Sequence, residues 1–168
     1  MPFEPPLLAP IVYNAPIIKV VNVNDCFREA SGTDRPEDAV KFWHDHIATC
    51  DWFHPEKEHL VVLHLNARSK IKSCHLVACG LLDQILAHAR ETFREAIVAA
   101  AKSIILMHNH PSGMTTASEA DIRCTRDLVR AGQLLRIEVI DHVIVAPTIG
   151  GGFTSLRQMG VVPSPGNL

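Results

Sequence analysis

The stretch His108-Asn109-His110-Pro111-Ser112-Gly113, continued by Met114-Thr115-Thr116-Ala117-Ser118-Glu119-Ala120-Asp121, follows directly on an apolar run, Ile104-Ile105-Leu106-Met107. The run reads as a buried strand. Pro111-Ser112-Gly113 reads as a turn, and Ser118 opens an amphipathic helix with Asp121 in its first turn. If the strand extends through the histidine pair, positions i and i+2 present both imidazoles on one face. Asp121 can then bring a carboxylate to the same point. Two imidazoles, one carboxylate and an open position make the donor set of a catalytic zinc site. A plainer reading stands beside it. Ten histidines in 168 residues can give one such pair by chance, and Ser118-x-x-Asp121 can be only a capping box.

The whole string adds to this. His-x-His, seven residues, Ser, two residues and Asp resembles the signature of the JAMM (JAB/MPN) metalloprotease family. The HNHPSG element within it resembles the family's RadC-like branch. The resemblance spans residues 36–160 and implies an α/β chain with the MPN fold, a curved mixed β-sheet flanked by helices, related to the cytidine deaminases. It implies one Zn²⁺ on His108, His110 and Asp121, with a Glu at the entrance of the opening strand as general base. Glu58 fits that position, and Glu56, two residues earlier with the same side-chain parity, is its competitor. Ser118 is expected to donate a hydrogen bond to the oxyanion of an amide or isopeptide under hydrolysis. Asn109 and Ser112 are expected to orient the loop, and His142 to sit behind the ligands or in the core. The substrate is expected to be a peptide or protein conjugate. Two alternatives stand: a DNA-repair-associated protein acting on or near DNA, and a catalytically silent, zinc-stabilised binding module.

Outward from that stretch, three regions are expected: an extended accessory segment over 1–35, the catalytic domain over 36–160, and a tail over 161–168. The five prolines within the first sixteen residues exclude a helix there. Ile17–Val23 reads as one strand laid on a sheet edge, and the segment lacks the helical character that longer RadC-like proteins carry. Residues 36–50 read as a helix with Pro36 at its first position and Val40, Trp43 and Ile47 inward. His44 and His46 diverge by about 200° on such a helix and read as surface residues. Strands follow at Glu58–Asn66 and Ile71–Gly80, joined by a turn. A connector at 81–89 leads to a helix over Arg90–Ala101 with Phe93, Ile97 and Ala100 on one face. Its His88-Ala89-Arg90-Glu91 resembles the RadC-like stretch, with Ala89 where that branch usually has Pro. The helix from Ser118 directs Ile122, Leu128, Val129 and Leu135 inward and Arg123, Arg126 and Arg130 outward. Arg136–Val145, containing Asp141-His142, is a last buried strand. Gly150-Gly151-Gly152 is a hairpin turn, since no Lys or helix follows as a phosphate loop requires.

Composition sets outer bounds. Hydrophobic residues make 47% and charged residues 20% of the chain, ordinary for a globular protein. The net charge of −2 is not that of a nonspecific duplex binder. No apolar run approaches the ~20 residues that span a bilayer, and the N-terminus lacks a basic region followed by an apolar one. The five cysteines form no C-x-x-C and read as free thiols in a reducing cytoplasm, with Cys74 and Cys79 buried.

Overall fold

Glu58–Leu65 is buried at all eight positions, the mark of a strand covered on both faces. The structure, a computed structural model, describes residues 21–22, 33, 35–80 and 87–163. Its elements are strand β1 (Val21–Asn22), helix α1 (Pro36–Phe42), strands β2 (Glu58–Leu65) and β3 (Ile71–Gly80), helix α2 (Ala89–Val98), strand β4 (Ser103–Asn109), helix α3 (Glu119–Leu135), and strands β5 (Glu138–Val145) and β6 (Phe153–Ser155). One open sheet runs in the order β1-β3-β2-β4-β5-β6. Among the described strands only β4 and β5 are parallel, so the sheet is mixed. The expected α/β class is observed, a mixed sheet flanked, among the described residues, by three helices. Of the expected Ile17–Val23 strand, Val21–Asn22 lies within the described residues and pairs with Cys74 and Ser73 of β3. The connector expected at 81–89 lies outside them at 81–86.

The sheet separates two apolar layers. On one face Val61, Leu63, Leu65, Ile105, Met107, Val143 and Val145 pack under Ala39, Phe42, Trp43 and Ile47 of the first helix. That helix continues past Phe42 as a widened π turn, Trp43–Ile47. On the other face Val62, Ile104, Leu106 and Val139 meet Phe93 and Ala96 of α2 and Leu128 of α3. Each large aliphatic or aromatic side chain so buried contributes about 1.5–3 kcal/mol, and together these layers fix the register of the central strands.

Local chemistry sets the element ends. Pro36 opens α1, as expected for a residue without an N–H at a position where that N–H has no partner. The side-chain Oδ1 of Asn66 accepts from the N–H groups of Arg68 (2.8 Å) and Lys70 (3.1 Å), which turns β2 into β3. In α3, a Cβ at Gly132 would lie 2.5 Å from the carbonyl oxygen of Ile137, so only glycine lets the chain double back into β5. Arg136 closes that helix in the left-handed region, φ 56°.

Several expectations are corrected. Ile97 is 55% exposed, because α2 buries Thr92, Phe93 and Ala96 and one more residue step of about 100° leaves that face. Ala100, placed on the same face, is exposed just beyond the helix. Leu135 is 44% exposed, as the last residue of α3, directly before the helix closes at Arg136. Cys79 is exposed rather than buried; it lies near the end of β3, paired with His59 of β2. The four described cysteines are free. His44 and His46 are half-buried, the latter with its ring 4.9 Å from that of Phe42. Val162, in the region read as a tail, is buried against Leu156 and Ile144.

Candidate metal centre

The antiparallel pairing of β2 with β4 sets Leu60 opposite His108. The entrance of β2 therefore lies beside the exit of β4. Glu58 and Leu60 share the face on which Val62 meets α2 and α3, and His108 shares it with Ile104 and Leu106. The chain then leaves the strand, turns at Pro111–Gly113 and returns as α3, whose first turn stands over the same point. The result is one cluster. Glu58, His108, His110 and Asp121 each present a ligand atom, and all four atoms lie within 4.8 Å of one another. Among the described residues this is the group of His, Cys, Asp and Glu that can hold a metal ion.

The distances suit a small cation. His108 Nε2 lies 2.9 Å from His110 Nε2, 3.3 Å from Asp121 Oδ1 and 3.7 Å from Glu58 Oε1. His110 Nε2 lies 3.6 Å from Asp121 Oδ2. Ligand atoms about 2.0–2.1 Å from a tetrahedral zinc stand about 3.3 Å apart, and the cluster is already near that spacing. The orientation of His110 is fixed from behind. Its Nδ1 lies 2.7 Å from the carbonyl oxygen of Met114, which can only accept, so Nδ1 carries the proton. In the neutral ring Nε2 then turns a lone pair toward the centre.

The electrostatics call for one positive charge there. The hydrogen bond to Asp121 is the main cause that raises the pKa of His110, and burial works against it. Burial pushes His108 well below the ordinary imidazole value. For Asp121, burial opposes ionisation. It is outweighed by the hydrogen bond to His110, the charge of His108 and the bonds from Ser118, which hold the carboxyl well below its usual range. A proton on His110 meets this demand, and a divalent cation competes with it for the same lone pairs.

The remaining sequence-selected residues stand around this cluster. Ser118 caps α3: its Oγ accepts from the Asp121 N–H (3.1 Å) and donates to Asp121 Oδ2 (2.6 Å), while its own N–H donates to Oδ2 (2.7 Å). The capping box is thus formed, and it aims the carboxylate at the histidines. Asn109 points to the opposite face from His108. There its Oδ1 accepts from the His59 N–H (3.0 Å) and its Nδ2 donates to the Lys57 carbonyl (2.8 Å). It grips the backbone on both sides of Glu58. Ser112 lies exposed in the turn and accepts from the Met114 N–H at 3.3 Å. Glu56 is exposed and outside the group. His142 is buried, with Nε2 2.8 Å from His108 Nδ1. A shift in the pairing of β4 with β5 puts Ile140 and Asp141 together between the partners of Ile104 and Ile105. That bulge reverses the parity of β5, so that His142 faces α3 rather than α1. Asp141 is anchored by Ser155 Oγ (2.7 Å) and the Arg157 N–H (3.0 Å).

Two participants escaped the sequence reading. Thr125 touches His142, Oγ1 to Nδ1 at 2.6 Å, and its one sequence signal is its place four residues after Asp121. The Met114 carbonyl that orients His110 is a backbone group and leaves no signal.

The family model described as the RadC-like JAB domain matches residues 33–161. The chain belongs to the RadC-like JAB family. Its relatives in that family include the UPF0758 protein of Chlorobium phaeovibrioides (strain DSM 265 / 1930), 46% identical over 102 residues, or 61% of this chain and 44% of that one. The UPF0758 protein of Bacillus cereus (strain G9842) is 38% identical over 125 residues, 74% of this chain and 52% of that one. The chain spans about half the length of the curated relatives it matches. The RadC-like JAB match takes in both strands and the helix that build the cluster. No helix among the described residues is long and apolar enough to cross a membrane.

Proposed function

We propose that the cluster is the active site of a zinc-dependent hydrolase of amide or isopeptide bonds. The observation that carries this reading is the pair of Nε2 atoms 2.9 Å apart, one turned inward by the Met114 carbonyl, with two carboxylates closing the same space. His108, His110 and Asp121 would hold the ion. When bound, it supplies Lewis acidity that brings the deprotonation of a water into the neutral range and polarises a carbonyl.

The chain's own groups do the rest. Glu58 stands at the rim of the cluster, 8% exposed, and takes a proton from water on one carboxylate oxygen, then passes it to the leaving amine. Asn109 fixes the backbone to either side of that carboxylate. Ser118 keeps its oxygen on the Asp121 N–H while its O–H rotates from the Asp121 carboxylate to a developing oxyanion. A peptide or protein conjugate is the substrate class favoured over DNA. Two of the three outward arginines of α3 lie near acids of their own helix, Arg123 with Glu119 (3.9 Å) and Arg130 with Asp127 (3.3 Å). An unbiased peptide-library cleavage assay with and without chelator tests the reading. Cleavage that stops with chelator and returns with zinc supports it, and cleavage indifferent to both overturns it.

A further inference from the structure

Behind the cluster lies a chain of three hydrogen bonds, and all its side chains are buried: His108 and His142 are 2% exposed and Thr125 is 0% exposed. His108 Nδ1 meets His142 Nε2 at 2.8 Å, His142 Nδ1 meets Thr125 Oγ1 at 2.6 Å, and Thr125 Oγ1 meets the main-chain carbonyl oxygen of Asp121 at 2.6 Å. Taken singly, each imidazole contact is ambiguous in direction. The far end removes the ambiguity. A carbonyl oxygen only accepts, so the single hydroxyl proton of Thr125 points to Asp121. Thr125 Oγ1 must then accept from His142, which places the proton of that ring on Nδ1. Both ring nitrogens of His142 are engaged by an imidazole and a hydroxyl, and the Asp141 carboxylate takes this residue's backbone N–H (2.7 Å) rather than its ring, so the buried ring stays neutral. Its Nε2 accepts, and His108 must donate from Nδ1.

We propose that Thr125 and His142 are positioning residues that lock His108 in its Nδ1–H tautomer, so that its Nε2 lone pair faces the cluster before any ion arrives. The order runs from one ligand back to another, because the carbonyl that sets it belongs to Asp121. The helix that delivers the carboxylate therefore also sets the proton on the imidazole. His110 reaches the same tautomer by its own carbonyl, that of Met114. The consequence for metal uptake rests on the zinc reading above, whereas the tautomer itself does not.

The test uses the full chain, metal-free and labelled with ¹⁵N-histidine, with long-range ¹H–¹⁵N correlation spectra to read which nitrogen of His108 carries the proton. Wild type and Thr125→Ser, which keeps the hydroxyl, should show Nδ1–H on His108. Thr125→Val should populate Nε2–H. In parallel, competition with a chromophoric chelator should show zinc held about 10–100-fold more weakly by Thr125→Val, the usual effect of losing a group that orients a ligand, with Thr125→Ser restoring it. Nε2–H on His108 in the metal-free wild type overturns the proposal whatever the variants do. So does a folded Thr125→Val that keeps both the Nδ1–H tautomer and wild-type affinity. Failure of the wild type to take up zinc would instead sink the metal reading and leave the spectral comparison standing.

Discussion

His108 and His110 approach Nε2 to Nε2 at 2.9 Å, with Asp121 3.3 Å from the first and 3.6 Å from the second. Each of the two rings is held by its Nδ1, one against His142 and the other against the Met114 carbonyl. Neither can turn its far nitrogen away without giving up a bond, so the lone pairs converge by construction of the fold and not by the ion alone.

Glu58 should separate from the ligands in function. Glu58→Gln keeps the side-chain shape and removes the basic oxygen, so zinc content should match wild type while turnover falls by about 10²-fold or more. Asp121→Asn should weaken zinc retention itself, a neutral amide being a poorer ligand than a carboxylate. Metal analysis after gel filtration, paired with cleavage rates, checks both. Loss of turnover in Glu56→Gln with Glu58→Gln active would place the base two residues earlier.

Asn109 should matter through the backbone it grips. Asn109→Ala leaves the N–H of the buried His59 without that partner, a cost of about 1–3 kcal/mol, while the Lys57 carbonyl keeps His59 Nδ1 at 2.9 Å. The urea midpoint should fall accordingly and kcat should drop with Glu58 less firmly held, with zinc content retained. A variant with unchanged midpoint and unchanged kcat would contradict this role.

A second buried histidine pair predicts acid sensitivity away from the site. His64 Nδ1 lies 2.7 Å from Ser73 Oγ and its Nε2 lies 2.9 Å from His75 Nδ1. Burial, and then the proximity of His75, lower the His64 pKa to about 3. Above pH 6.5 the ring is neutral folded or unfolded and contributes no slope. Between 6.5 and 3 the unfolded chain binds a proton that the folded chain refuses, so stability falls with falling pH by up to about 1.4 kcal/mol per pH unit from this group. Urea midpoints at pH 7 and pH 5 should therefore differ more in wild type than in His64→Gln. Equal differences would show that His64 does not titrate as described.

Much of this architecture was legible in the residues. The apolar run before His108 gave β4, and the Ser118-x-x-Asp121 pattern gave both the cap and the carboxylate, two readings that the structure joins rather than opposes. The α3 face with Leu128 inward followed from helical spacing. Less legible was whatever depended on pairing between distant strands. The orientation of His142 hangs on a bulge in β5 that no periodicity announces, since the local pattern allows either parity. The grip of Asn109 on the main chain of β2 needs the antiparallel register of β2 with β4. Thr125 looks like an ordinary helix residue until His142 is placed against it. The exposed Ile97 and Leu135 show the converse error, in which an apolar residue near the right spacing lies past the edge of the packed face.

The most direct measurement is elemental analysis of the purified chain beside a His108→Ala/His110→Ala double variant. The account predicts about one zinc per wild-type chain and essentially none in the double variant, with the variant still folded by circular dichroism. Equal zinc in the two proteins, or none in the wild type after incubation with excess zinc and desalting, would contradict it.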